Sequence, residues 1–162
     1  MKKIIVIGCP GAGKSTFSRR LRDLTGLPLY YLDLIWHKPD RTNVMREEFD
    51  ERLLEIIKKD EWIIDGNYNR TLEIRMRYCD TVFLLDFPTE LCLEGARSRI
   101  GKKREEMPWV EEELDEEFKN WITTFSDEKL PYIYELLSKY SDKNIIIFKT
   151  RSEIEEYFSS YE

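Results

Sequence analysis

Residues 4–15 constrain this chain more than any other stretch. Ile4-Ile5-Val6-Ile7 runs without a polar break into Gly8-Cys9-Pro10-Gly11-Ala12-Gly13-Lys14-Ser15, and Phe17, Leu21 and Leu24 then recur at spacings of four and three. A continuous apolar run is the mark of a strand covered on both faces, and the following spacing is that of a helix. Strand, glycine-rich turn and helix in direct succession demand a parallel βα unit. Gly8, Gly13, Lys14 and Ser15 also satisfy G-x-x-x-x-G-K-[ST] at every fixed position. Glycines let successive backbone N–H groups turn inward on phosphate oxygens, and the helix N-terminus adds its partial positive charge. In such a loop Lys14 reaches the β- and γ-phosphates and the Ser15 hydroxyl can hold Mg²⁺. Gly8, Cys9, Pro10, Gly11, Ala12, Gly13, Lys14, Ser15 and Thr16 are therefore the expected nucleotide-binding residues, with ATP and Mg²⁺ as ligands.

The rest of the chain repeats the alternation. Leu29 to Leu32, Trp62 to Ile64, Val82 to Leu85 and Ile145 to Phe148 read as further strands. Helical spacing runs through Phe49, Leu53, Ile56 and Ile57, and again through Phe118, Ile122 and Phe125. It returns through Leu130, Ile133 and Leu137, and last through Ile154, Tyr157, Phe158 and Tyr161. Strands separated by helices predict a three-layer α/β fold with right-handed crossovers. Without a repeat or a Ser/Gly-rich linker, 162 residues are expected to form a single domain, 1–162. The formal charge of −6 argues against duplex DNA as a direct partner. Three cysteines, with no C-x-x-C pair, suit a reducing compartment. The first apolar run is about half the shortest secretory h-region, and no segment approaches ~18 apolar residues. A cytoplasmic location without membrane contact is expected.

Open α/β sheets bind ligands beyond the carboxyl ends of their strands. Asp33, Asp65 and Asp86 all fall there. Asp65, followed by Gly66, reads as the carboxylate that serves the metal with Ser15, and Asp86 is its rival. Asp33 is placed to hold or deprotonate a phosphate acceptor, with Trp36 at the mouth of the same side. His37, the one histidine, reads as a packing or surface residue. From Arg97 to Arg104 the chain is basic, and Glu105 to Glu117 then carries eight acids in thirteen positions. The acidic run reads as the solvated face of a helix. The basic run reads as a lid over polyphosphate, mobile until an anion supplies counter-charge.

Tyr31-Leu32-Asp33-Leu34-Ile35-Trp36, Trp62-Ile63-Ile64-Asp65-Gly66-Asn67-Tyr68 and Leu84-Leu85-Asp86-Phe87-Pro88, taken with the glycine-rich loop, resemble the bacterial DNA topology modulation proteins (FlaR-like). These are similar to small adenylate kinases. The resemblance implies a P-loop NTPase fold with a five-stranded parallel sheet in the order 2-3-1-4-5 and a short lid, about residues 97–112. It implies that Arg99 and Arg104 are lid arginines and that Gly66, Asn67 and Arg75 belong to the acceptor side. Two departures stand out. Nucleoside-monophosphate kinases carry D-G-F-P-R where Asp65-Gly66 is followed here by Asn67-Tyr68-Asn69-Arg70; the missing Pro-Arg pair weakens the case for AMP as acceptor unless Arg70 or Arg75 replaces that cation. Thr89 and Gly95 stand where family members often carry arginine.

These readings converge on an ATP-dependent phosphotransferase acting on a nucleotide or other small molecule, with Lys14, Asp33, Arg99 and Arg104 as its catalytic residues. The alternative is a nucleotide-dependent regulator of DNA topology or gene expression that has no small-molecule acceptor.

Overall fold

The computed structural model describes residues 1–161, and its five parallel strands form one sheet in the order β2-β3-β1-β4-β5. The strands are β1 (Lys3–Gly8), β2 (Leu29–Tyr31), β3 (Trp62–Asp65), β4 (Thr81–Leu85) and β5 (Asn144–Phe148). The helices are α1 (Lys14–Thr25), α2 (Leu32–Trp36), α3 (Arg46–Ile57), α4 (Asn69–Tyr78), α5 (Thr89–Ser98), α6 (Glu116–Glu128), α7 (Leu130–Lys139) and α8 (Arg151–Ser159). This is the α/β architecture and strand order expected from the sequence. Among the described residues no helix is long and apolar enough to cross a membrane.

The strand order dictates where the helices lie. The β1-to-β2 crossover runs toward one edge of the sheet, while the β2-to-β3, β3-to-β4 and β4-to-β5 crossovers run toward the other. Right-handed crossovers in opposite directions land on opposite faces. Helix α1 therefore covers one face, joined there by α8 through Phe17 and Phe158, whose rings lie 5.3 Å apart. Phe83 and Phe148 from the sheet complete that aromatic core. The loops leaving β1 and β3 diverge to opposite faces, which opens a crevice between their carboxyl ends. Ile4, Ile5, Val6 and Ile7 beneath it are completely buried. At about 1.5–3 kcal/mol for each large aliphatic side chain, they make β1 a rigid floor.

Two local readings are corrected, and helix α4 has no counterpart in the apolar spacing of the sequence. Leu32 opens helix α2 instead of ending the second strand; a short apolar run cannot distinguish the two. Helix α4 has no strong apolar period, because Thr71 and Arg75 share its buried face with Leu72 and Met76. The acidic run is not a helix face from Glu105 onward: the chain is irregular until Asp115, whose carboxylate caps α6 by accepting from the Phe118 amide at 2.7 Å. Its acids serve as anchors. Glu105 accepts from Tyr31 and from Arg22 (3.0 Å), and Glu106 pairs with Arg19 (2.9 Å) and Arg104 (3.2 Å).

Candidate functional site

Pro10 to Thr16 of the phosphate loop, Asp33 and Asp65 line one cleft of about 650 Å³ beyond the carboxyl ends of the strands, whereas Gly8 and the buried Cys9 do not. The loop leaves β1 through a tight turn in which the Ala12 amide donates to the Cys9 carbonyl at 3.0 Å. Gly11 has a φ of 88°, and a Cβ there would lie 2.0 Å from the Cys92 carbonyl oxygen. Both contacts belong to helix α5, which packs directly on the loop: a Cβ at Gly95 would lie 2.0 Å from the Gly11 carbonyl oxygen. That contact leaves no room for an arginine at position 95.

Lys14 curls over the loop and donates to the carbonyls of Gly8 (3.0 Å) and Cys9 (3.3 Å). Loss of water pushes its ammonium below the ordinary lysine range, partly offset by the nearby Asp65 carboxylate. The Ser15 hydroxyl donates to Asp65 Oδ2 at 2.8 Å. Burial raises the Asp65 carboxyl to about 6, against the lowering influence of Lys14 and Ser15. Asp86 lies elsewhere, accepting from Tyr134 at 2.5 Å and paired with Lys149.

The turn after β3 ties the two strand ends together. Asn67 Oδ1 accepts from the Gly8 amide (3.0 Å) while its Nδ2 donates to the Gly8 carbonyl (2.6 Å). Asn67 lines the cleft, yet this double hydrogen bond makes it a brace for the phosphate loop. Gly66 also lines the cleft, and a Cβ there would meet Leu32 Cβ at 2.8 Å. Tyr68 donates to Asp33 Oδ1 at 2.6 Å, and Trp36 packs edge-on to Tyr68 with ring centroids 6.4 Å apart.

Arg75 is placed apart from the other acceptor-side residues. It is completely buried and does not line the cleft. Its guanidinium donates to the carbonyls of Gly66 (2.9 Å), Asn67 and Tyr68 (3.1 Å), and burial pushes it down to about 9. Arg75 holds the turn that carries Asn67 and Tyr68. Arg75→Met strands those carbonyls and is expected to cost about 3 kcal/mol in urea denaturation.

Arg99 and Arg104 reach the cleft from the irregular segment after α5. Arg104 is already answered by Glu106 (3.2 Å) and Glu111 (2.9 Å), whereas Arg99 makes no ion pair among the described residues; the Nε of each has no partner there. The expected mobile strip of unpaired cations is thus partly neutralised by the acids that follow it. Tyr68, Asn69, Glu106, Met107, Trp109 and Arg151 also line the cleft and escaped the sequence reading. Tyr68 and Arg151 had a usable signal, because each follows the carboxyl end of a strand. The others come from segments whose direction only the fold reveals.

No family model matches the chain. It is 30% identical over 88 residues to adenylate kinases of Thermotoga petrophila and Thermotoga maritima. That stretch is 53% of this chain and only 39% of each relative's length. Among solved structures, a shikimate kinase from Bacteroides thetaiotaomicron superposes with a TM-score of 0.60 at 18% identity, covering 97% of this chain and 94% of that one. The shikimate kinase from Acinetobacter baumannii, in complex with shikimate, gives 0.64 at 16%, covering 99% and 92%. The shared feature is a kinase-like P-loop fold.

Proposed function

We propose that this chain transfers the γ-phosphate of ATP to a small-molecule acceptor. The observation that carries the reading is the Ser15–Asp65 pair at the mouth of a complete phosphate loop, with Asp33 and Arg99 lining the same cleft. The loop amides and Lys14 bind the phosphates, and Arg99 meets charge that develops on the transferring group. Asp33, fixed by Tyr68, orients the acceptor and takes its proton.

The donor set fits Mg²⁺. Among the described residues no three acids, cysteines or histidines cluster into a protein-only metal site. Magnesium in phosphotransferases takes only one or two protein oxygens beside substrate phosphates and water, and Ser15 with Asp65 supplies that number. Bound there, the ion would neutralise charge on the outer phosphates.

The segment of about residues 97–112 acts in this reading as a short lid on a single domain, 1–162, in the cytoplasm. Kinship with the FlaR-like proteins is proposed on the W-I-I-D-G-N-Y and L-D-F-P segments. An effect on DNA topology would then be indirect, since Arg99 and Arg104 face the cleft.

Acceptor-dependent ADP release, measured across nucleosides, nucleotides and sugars, tests the reading; slow hydrolysis indifferent to every acceptor would favour a nucleotide-dependent regulator. The pH dependence is a separate check. Asp65 must ionise to hold a cation, so magnesium-supported nucleotide binding should strengthen as pH rises through about 6 and fade below it. Asp65→Asn should bind weakly and lose the Asp65 component of this dependence, leaving only the titration of the nucleotide's terminal phosphate, whose second pKa is about 6. The stability of the unliganded protein moves the other way. A carboxyl raised in the folded state favours folding as pH falls through about 6 toward the ordinary carboxylate range.

A further inference from the structure

The Ser15–Asp65 contact divides the cleft. It lies on the β3 side of the phosphate loop, where Ser15 and Asp65 would hold a cation beside the outer phosphates. The nucleotide base then extends toward β4 and β5, where Phe125, Arg151 and Ile154 line the wall. The transferring phosphate faces the other half, formed by Asp33, Trp36, His37, Tyr68, Met107 and Trp109.

The charge of that half is unusual for a site that takes an anion. Arg75 is buried under the turn, and Arg70 is engaged by Asp50 at 2.7 and 3.1 Å. Arg104 is held by two glutamates, Lys38 and Arg46 do not line the cleft, and Arg41 stays outside it with its guanidinium stacked 5.5 Å from the centroid of the Trp109 ring. Arg20 is paired with Glu155, and Lys129, whose amide donates to the Phe125 carbonyl, and Arg151 line the cleft on the side of Phe125 and Ile154. On the acceptor side Lys14 and Arg99 remain, and the transferring phosphate claims both. A phosphate or carboxylate on the acceptor would sit beside Asp33 with no cation of its own, an arrangement that burial penalises heavily.

The walls favour a flat ring. Trp36 stands edge-on to Phe49 and Tyr68, and His37 packs against Trp109 with centroids 5.1 Å apart. Trp36 and Trp109 thus offer aromatic surface from two separate segments. The polar groups ask for donors: Asp33 accepts, and Asn69 Oδ1 is buried without a partner among the described residues. Hydroxyl and amino groups answer both.

We infer that the acceptor is a nucleoside, an uncharged planar base on a sugar with a free hydroxyl, rather than a nucleoside monophosphate or a carboxylated ring. The inference rests on the phosphotransfer reading above. In the reaction the acceptor hydroxyl oxygen forms a new bond to the γ-phosphorus. The bond from that phosphorus to the β–γ bridging oxygen breaks, the hydroxyl proton passes to Asp33, and ADP departs with the bonding pair.

The test separates the two levels. Calorimetry measures MgATP binding, and ³¹P NMR follows phosphomonoester formation from MgATP with the common ribo- and deoxyribonucleosides, AMP and shikimate. A nucleoside should be phosphorylated at least about tenfold faster than AMP or shikimate, the factor that one unpaired charge or aromatic contact commands. Trp36→Leu should raise the nucleoside KM about tenfold at unchanged MgATP affinity. Because Trp36 also packs on Phe49, Trp109→Leu repeats the test from the other wall. Faster transfer to AMP or shikimate overturns the nucleoside assignment alone. So does the absence of transfer to every nucleoside by a protein that binds MgATP. Failure to bind MgATP overturns the phosphotransfer reading beneath it.

Discussion

Lys14→Ala is expected to abolish measurable turnover and to weaken MgATP binding by about 10- to 100-fold, the range of one charge-assisted contact. The Lys14 ammonium rests on the carbonyls of Gly8 and Cys9 and is poorly hydrated. A polyphosphate offers it far stronger acceptors a short swing away, so nearly all of that interaction appears on binding. The fold should survive, because Lys14 is only half-buried and the Phe17 and Leu21 packing that anchors α1 lies beyond it. Calorimetry with MgATP on a variant of unchanged circular dichroism measures the effect. Unaltered affinity in a folded Lys14→Ala protein would remove the phosphate loop from the argument.

How much of this was readable in advance depends on where the information resides. The β1 run and the loop behind it are local: Ile4 to Ile7 had to be a covered strand, and Gly8 to Ser15 had to be a turn into a helix. Asp33 and Asp65 were legible for the same reason, since each ends a strand or follows one directly. Arg75 was not. A guanidinium on a helix looks the same in sequence whether it faces a ligand or three backbone carbonyls, and the nine-residue return from Arg75 to Gly66 decides it. The acids after Arg104 were misjudged for a related reason. Their partners Arg19, Arg22 and Tyr31 are more than seventy residues away along the chain, so composition alone assigned them to solvent.

Those distant pairs set the last expectation, which concerns the two arginines of the lid. Arg99→Ala should lower turnover by about 10³-fold, the lower end for arginines that stabilise a transferring phosphoryl group, while MgATP affinity changes by less than about threefold. Arg99 lines the cleft, Glu106 and Glu111 are both taken by Arg104, and burial with Arg104 alongside pushes its guanidinium below the ordinary arginine range. A cation left in that condition gains most when negative charge grows nearby, so its contribution should concentrate in the transition state. Arg104 is differently placed: its side chain is only 10% exposed and is bonded on both terminal nitrogens. Arg104→Ala should free Glu111, leave Glu106 on Arg19 alone and loosen residues 99–112, seen as faster hydrogen exchange without nucleotide. Its turnover should fall only about tenfold, through the disordered lid rather than a lost phosphate contact. The opposite ranking would mean that the Glu106 and Glu111 pairs break on closure and that Arg104 is the phosphate clamp. A Glu106→Gln variant decides between these, since weakening that pair should raise exchange in either case but should raise turnover only if Arg104 must be released to act.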